Sequence, residues 1–486
     1  MTLEYDTGTD GFDDRMQTEL FTGSAPDLFP TWGESDKIAS WVQDGLVTNL
    51  GEIVNADPDR YPTLYKMMNS EEWKAYNKLY TGDEAASYAI YSVAAFADPS
   101  FGGVPVYNQA ILDEVNEGKV PATVDEFLTY CEAAGSAGYV GWWPRNDKLT
   151  NWNEIDATLA LPQGTSITVP RGAGTGTILS GEAGTDSEYW TVSAVSEQSK
   201  AVVKQLAELY KNGGLDANIG VKGDFDDAYA DFGNGTLGAV NFGFGYPGQF
   251  RDFFKSAWLA VHLAVGQALT SNGSYGKTYS TGTWINSHYF IPTSCAYPDR
   301  VLDLVEFLAS NAGQDLLHNC VNGEFNTSVG SDYWSAIDGA YGYGDGRCKY
   351  VWFSYMFSGV EYYCDFENQS WWDAVSHPVD FSNSWATEED AALVSKAKDT
   401  ISGFVNEVVQ PLPAYYNMVA LPAEATDIIN QLATITNEYL TQFIGGQLDI
   451  DASWGDYAAA YEAAGAAELE TMINDAVATA RTTYGG

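Results

Sequence analysis

SKAVVKQLAELYKNGG, residues 199–214, and the run GAVNF further on, residues 238–242, together carry the pattern on which the fold turns. In the first run Val202, Val203, Leu206, Leu209 and Tyr210 recur at helical spacing on one face. Gly213-Gly214 then stops the helix, because glycine accepts the backbone conformation that ends one. The second run is short and apolar, as a strand buried within a sheet is. A helix that gives way to such a strand, if repeated along the chain, means a sheet covered by helices, an α/β protein.

The repetition is there on both sides. Pro121-Ala-Thr-Val-Asp-Glu126 offers Thr123 as N-cap with Glu126 three residues later, followed by Phe127, Leu128 and Cys131 at helical spacing, so a helix starts there. Another begins near Pro298-Asp299 with Leu302, Val305 and Leu308, extending toward Leu316-Leu317, and a last one spans Ala467 to Arg481. Strand-like runs occur at Tyr88–Val93 and His288–Ile291. The region Asn322–Trp385 is rich in Gly, Tyr and Trp without helical period, and is expected to form loops and short strands bearing exposed aromatics. No repeat of fixed period is visible.

At 486 residues the chain is too long for one ordinary core and should divide into two or three subdomains. Its 45% apolar content, with 15 Trp, 31 Tyr and 22 Phe, gives ample material to bury. Against 66 Asp and Glu stand only 23 Lys and Arg, a net charge of −43, which repels phosphate backbones and anionic lipid surfaces. The imbalance comes from scarce basic residues more than from acidic blocks, as salt adaptation would also produce. The longest apolar stretch, Ala257–Leu269, is interrupted by His262 and Gln267 and is too short to span a bilayer. Met-Thr-Leu-Glu-Tyr-Asp6 lacks the basic and apolar regions of a signal peptide, as in a cytosolic chain or one whose leader has been trimmed.

Motifs for catalysis and metal binding fail one by one. Cys131, Cys295, Cys320, Cys348 and Cys364 are widely spaced, and His262, His288, His318 and His377 form no ligand pair. Cys131, within an amphipathic helix, is expected to be a buried apolar residue. Gly276-Lys277-Thr278 ends like a P-loop, but the glycine needed at its start is Ser271. Asp449-x-Asp451-x-Ser453 starts like a calcium loop, but Trp454 stands where glycine is required and Ala460 at the twelfth position. No cofactor and no metal site follow. Paired carboxylates in the manner of a glycoside hydrolase stay open, since spacing in sequence says nothing about spacing in the fold.

Aromatic side chains in loop-like context are the conspicuous excess: Trp32, Phe101, Trp142-Trp143, Phe244, Tyr246, Trp284, Tyr341, Tyr343, Trp352, Trp371-Trp372 and Tyr415-Tyr416. A sugar presents an apolar C–H face and a rim of hydroxyls, so its pocket needs flat aromatic walls with amide or charged groups at the edge. Trp142-Trp143-Pro144-Arg145-Asn146-Asp147 supplies both kinds. Most tryptophans belong in the core. In an extended segment neighbours point to opposite sides, however, so one of Trp142/Trp143 and one of Trp371/Trp372 is expected to face away from it.

Several segments, in order, resemble the extracellular solute-binding proteins of ABC importers, the oligosaccharide-binding lipoprotein type related to maltodextrin-binding protein. They are Gly23-Ser-Ala-Pro-Asp27-Leu-Phe, Gly45-Leu-Val-Thr-Asn-Leu50, Val104-Pro-Val-Tyr-Asn108 and Val120-Pro-Ala-Thr-Val-Asp-Glu-Phe127. Downstream follow Leu209-Tyr-Lys-Asn-Gly213, Phe232-Gly-Asn-Gly-Thr-Leu-Gly-Ala-Val240, Thr281-Gly-Thr-Trp-Ile285 and Pro298–Leu308, and near the end Phe443–Tyr457. Each is weak alone; their order over nearly the whole chain is the resemblance.

The resemblance implies a two-lobed periplasmic-binding-protein-like fold of type II, with crossing segments as hinge and a ligand cleft between lobes. Residues 1–108 with about 286–330 would form the N-terminal lobe, and 109–285 with about 331–486 the C-terminal lobe. Thr2–Asp6 looks like the family's second strand, so a first βα unit is expected to be missing in front of it. The implied function is capture of neutral oligosaccharides by lobe closure for import through ABC permease subunits, without bond chemistry. The implied form is a monomer that is a membrane-tethered extracellular lipoprotein at full length. Carried over by position, the ligand contacts would be Trp32 and Glu34, Phe244 and Tyr246, Trp284, and a second-lobe wall of Trp142, Trp143 and Arg145. Composition adds Trp371, Trp372 and Tyr415. A secreted carbohydrate-active hydrolase and a surface adhesion protein are the competing readings.

Overall fold

A computed structural model describes residues 12–31, 35–95, 104–144, 152–219, 231–241, 263–280, 283–310, 400 and 403–484. These fall into two compact units, one within Met1–Phe96 and Thr283–Trp371, the other within Ala97–Gly282 and Trp372–Gly486.

The chain enters the first unit through α1 (Phe12–Thr22), β1 (Phe29–Thr31), α2 (Ser35–Gln43), α3 (Leu50–Ala56), α4 (Pro62–Met68), α5 (Glu71–Thr81) and β2 (Ile90–Ala95). In the second unit it forms β3 (Pro105–Asn108), α6 (Gln109–Asn116), α7 (Val124–Ser136), β4 (Val140–Trp143) and α8 (Asn153–Ile155), which runs into a π-helical turn (Asp156–Ala160). There follow β5 (Thr177–Ser180), β6 (Tyr189–Val192), α9 (Glu197–Lys211), β7 (Leu237–Asn241) and β8 (Leu263–Val265), then the short β9 (Thr270–Ser271), β10 (Ser274–Tyr275) and β11 (Thr278–Ser280). It returns to the first unit as β12 (Thr283–Phe290) and α10 (Pro298–Ala309), and closes in the second with β13 (Val409–Pro411), α11 (Glu424–Ile444), α12 (Ile450–Ala463) and α13 (Ala466–Tyr484).

Among the described residues the first unit's sheet has the order β1-β12-β2, with both pairs antiparallel, so the strand between β1 and β2 comes from the returning chain. Ala95 at the end of β2 is the cross-strand partner of Thr283 at the start of β12, and the register slips between Ile285 and Ser287, a bulge at Asn286. α10 is fastened to α4 by polar groups. The Glu306 carboxylate accepts the backbone N–H groups of Thr63 and Leu64 at 3.0 and 2.9 Å, satisfying donors that open α4. Arg60 forks onto Asp303 through two bonds of 2.7 Å.

In the second unit β4-β7-β3-β8 form a sheet in which β4 and β7 run parallel and the remaining pairs antiparallel. β3 is therefore a strand of this sheet, which groups residues 105–108 with the second unit. β3 and β7 are buried along their whole length, as strands covered on both faces are. α7 begins as its sequence predicts. Thr123 Oγ1 accepts the Glu126 N–H and the Glu126 carboxylate accepts the Thr123 N–H, a complete capping box. α9 buries Val202, Val203, Leu206 and Leu209, the face read from periodicity. Cys131 is buried and carries a free thiol, as does Cys295.

Asp449, where a calcium loop seemed to begin in sequence, is the N-cap of α12 and accepts the Ala452 N–H at 2.8 Å. The Asn322–Trp385 region and Thr2–Asp6 lie outside the described residues. Among the described residues no helix is long and apolar enough to cross a membrane.

Candidate functional site

Parallel strands place their carboxyl ends on one edge of a sheet, and in open α/β sheets that edge is where ligands bind. In the second unit the parallel pair is β4 and β7, with Trp142 opposite Ala239 and Trp143 opposite Val240. The edge is thus marked by Trp143, closing β4, and Asn241, closing β7. In sequence, Arg145 follows Trp143 by two residues, and Phe244 and Tyr246 follow Asn241. Arg145, Phe244 and Tyr246 lie outside the described residues, as do Trp32, Glu34, Trp371 and Trp372.

Trp142 and Trp143 are both wholly buried, with 0% exposure. Strand alternation does send them to opposite faces. Both faces are covered, however, and neither ring reaches solvent. Trp142 belongs to the core cluster and meets Phe127 edge-on at 5.1 Å. Its indole N–H donates to Asn241 Oδ1 at 2.6 Å, and Asn241 Nδ2 donates to Thr158 Oγ1 at 2.7 Å. Asn241 therefore ties the ends of β4 and β7 to the π-helical turn. The sequence holds no local signal for this link, since its partners are separated by 99 and 83 positions.

The same turn carries Asp156, buried against the segment after it. One carboxylate oxygen accepts the Ser166 hydroxyl and the other the Ile167 N–H at 2.7 Å. Burial raises its pKa from 3.8 to about 6, and the bonds to Ser166, Ile167 and Thr168 offset part of that rise. A hydroxyl cluster continues from it, with Thr165 Oγ1 2.7 Å from Ser199 Oγ and Ser193 Oγ accepting the Ser166 N–H at 2.9 Å.

Tyr415 is also buried, stacked on Tyr416 at 5.1 Å. Tyr416 in turn accepts the Trp190 indole N–H at 3.1 Å, so Tyr415 joins an aromatic cluster with the β5–β6 hairpin. In the first unit Trp284 lies in β12 opposite Ala94, beside the bulge. At the carboxyl end of β1, Thr31 is paired with His288, whose ring meets Tyr91 edge-on at 5.6 Å. Burial lowers the His288 pKa to about 4, only partly offset by its bond to the Thr31 backbone, so the imidazole is neutral at physiological pH.

Among the described residues no group of three or more His, Cys, Asp or Glu could hold a metal ion. At the strand ends the indole of Trp142, the amide of Asn241 and the hydroxyl of Thr158 are buried and bonded to one another, so they brace the edge rather than face a ligand.

Comparison with known proteins agrees with this fold. The family model for bacterial extracellular solute-binding proteins matches residues 1–331. Among solved structures, the S. pneumoniae ABC-transporter substrate-binding protein FusA, in complex with kestose, superposes with a TM-score of 0.63 at 12% identity, covering 99% of this chain and 93% of that one. The alginate-binding protein AlgQ2 gives 0.59 at 15% identity, with 96% and 88% covered. An HMO-binding ABC-transporter-associated solute-binding protein from Bifidobacterium longum infantis gives 0.57 at 16% identity, with 96% and 90% covered. At these identities the likeness is one of fold. No curated protein sequence matches the chain.

Proposed function

This chain belongs to the bacterial extracellular solute-binding protein family, and from that membership we propose that it is the substrate-binding component of an ABC importer, capturing neutral oligosaccharides by lobe closure. The observation that carries the reading is the family match over residues 1–331, on a chain whose fold is shared with binding proteins described by kestose, alginate and HMO. The net charge of −43 favours uncharged over anionic sugars. Ligand contacts are assigned to Arg145 beyond β4, Phe244 and Tyr246 beyond β7, Trp32 and Glu34 beyond β1, and Trp284 in β12; wholly buried Trp143 is not among them. Trp371 and Trp372 are further contacts drawn from composition alone, and Tyr415, buried against Tyr416, is not one. Trp142, whose indole N–H is taken by Asn241, braces the strand ends. The protein acts as a monomer tethered by a lipid at full length, its partners are the permease subunits, and it binds no nucleic acid.

Titration calorimetry against neutral oligosaccharides, anionic alginate oligomers and peptides tests the reading. Stoichiometric binding of a neutral glycan, with a change in Trp fluorescence and no cleavage products, is expected. Turnover would establish the hydrolase instead, and binding confined to anionic sugars or peptides would overturn the ligand class.

A further inference from the structure

In the second unit, α11, α12 and α13 carry charge of almost one sign. Between Glu424 and Gly486 stand ten Asp and Glu, one Arg and no Lys. Nine of the ten carboxylates are exposed; Glu470 is half-buried, where it accepts the Tyr189 hydroxyl and the Val192 N–H at 2.9 and 2.7 Å. Asp451 is held by Lys200 and Lys204 of α9. Among the described residues the other eight exposed carboxylates make no ion pair. Glu462 lies in the last turn of α12, where the helix dipole favours a cation. Exposed positions between the carboxylates carry alanine rather than lysine, at Ala452, Ala459, Ala463, Ala467 and Ala478. The whole chain shares the bias, with 66 acidic residues to 23 basic ones.

Like charges so placed repel one another, and the repulsion works against the compact state. Its reach is set by salt, because the screening length is about 30 Å in 0.01 M monovalent salt and about 3 Å in 1 M. At the longer length the carboxylates of all three helices act on each other; at the shorter only immediate neighbours do. The unfolded chain spreads the same charges over a larger volume, so poor screening costs the folded state more. We propose that this chain is built for a salt-rich medium, in which dissolved ions stabilise the second unit's helices by screening, without occupying any site. Among the described residues no three carboxylates converge as a bound metal ion would require. The requirement is independent of which ligand the protein takes, and a member of an extracellular family meets the external medium directly.

Melting curves of the whole chain in 0.01–1 M sodium chloride and in choline chloride test the proposal. Expected is a rise of roughly 10 °C or more, most of it complete by about 0.3 M and equal in the two salts. A chain that is unfolded at 0.01 M and recovers its far-UV circular dichroism on addition of either salt would be the same result in stronger form. A variant neutralised at four unpaired carboxylates, Glu438→Gln, Asp456→Asn, Glu462→Gln and Asp475→Asn, should melt above its parent at 0.01 M and converge on it at 1 M. A parent melting temperature that is flat, or that climbs only above about 0.5 M as salting-out does, would overturn the proposal. So would a rise in sodium chloride that choline chloride does not reproduce, since that marks a bound cation. A neutralised variant that melts no higher than its parent at 0.01 M, or higher by the same margin at both salts, would overturn it as well.

Discussion

Asp156→Asn should stabilise the second unit above pH 6 and leave it unchanged near pH 4. Burial raises the folded carboxyl from 3.8 to about 6, so the folded protein holds this proton more tightly than the unfolded chain does. The group's contribution to stability is then complete below 3.8 and is lost as pH climbs through 6. A displacement of about 2 on the pH scale corresponds to about 3 kcal/mol, the most that removing the charge can return at pH 8. Asparagine fits the cradle, since its oxygen can accept the Ile167 N–H and its amide can donate to Ser166 Oγ, two of the partners of the carboxylate. Melting temperatures of parent and variant, followed by Trp fluorescence from pH 4 to 8, isolate the effect, because all other carboxylates titrate alike in both and cancel. The difference should grow from near zero at pH 4 to roughly 6 °C at pH 8. A variant that melts lower than its parent at pH 8, or a difference that is flat across the range, would refute the reasoning. Asp156→Leu is the companion, expected to lose stability at every pH because the Ile167 N–H loses its acceptor.

Asn241→Leu keeps the side-chain volume but strips partners from the Trp142 indole and the Thr158 hydroxyl, and should cost about 2 kcal/mol or more in urea unfolding. Two glycines should respond in opposite directions. In Gly141→Ala the new methyl would stand 2.5 Å from the Cys131 carbonyl and 2.6 Å from that of Gly214, both backbone, so soluble yield and melting temperature should collapse. In Gly455→Ala, within α12 and with nothing inside 4 Å, about 1 kcal/mol should be gained from helix propensity.

Local signals were legible in the sequence where they act within one turn of helix or strand. Thr123 and Glu126 cap α7, the apolar stripe of α9 is buried, and Cys131 is a core residue. α12 was masked by its own acidic start. Asp449 suggested a calcium loop but caps the helix, and Asp451 pairs with Lys200 and Lys204 at 3.0 and 2.6 Å. Its real signature was Trp454, Tyr457 and Tyr461 at helical spacing, all buried. For Trp142 and Trp143 alternation was sound, but exposure of one ring does not follow from it when a strand is covered on both faces. The Asn241 bridge and the Asp156 cradle depend on tertiary neighbours, which periodicity cannot register.

The central position of β12 in the first sheet has a consequence for the order of events on the ribosome. β1 and β2 emerge early, yet the strand that pairs with both is encoded after the entire run Ala97–Gly282. At ordinary elongation rates that run takes on the order of ten to forty seconds to make. Among the described residues the two early strands have no partner for that time, and their edges are open to any other strand they meet. Holding such strands apart until the missing neighbour arrives is work for a chaperone, and the natural point of engagement is the stretch from Phe29 to Ala95.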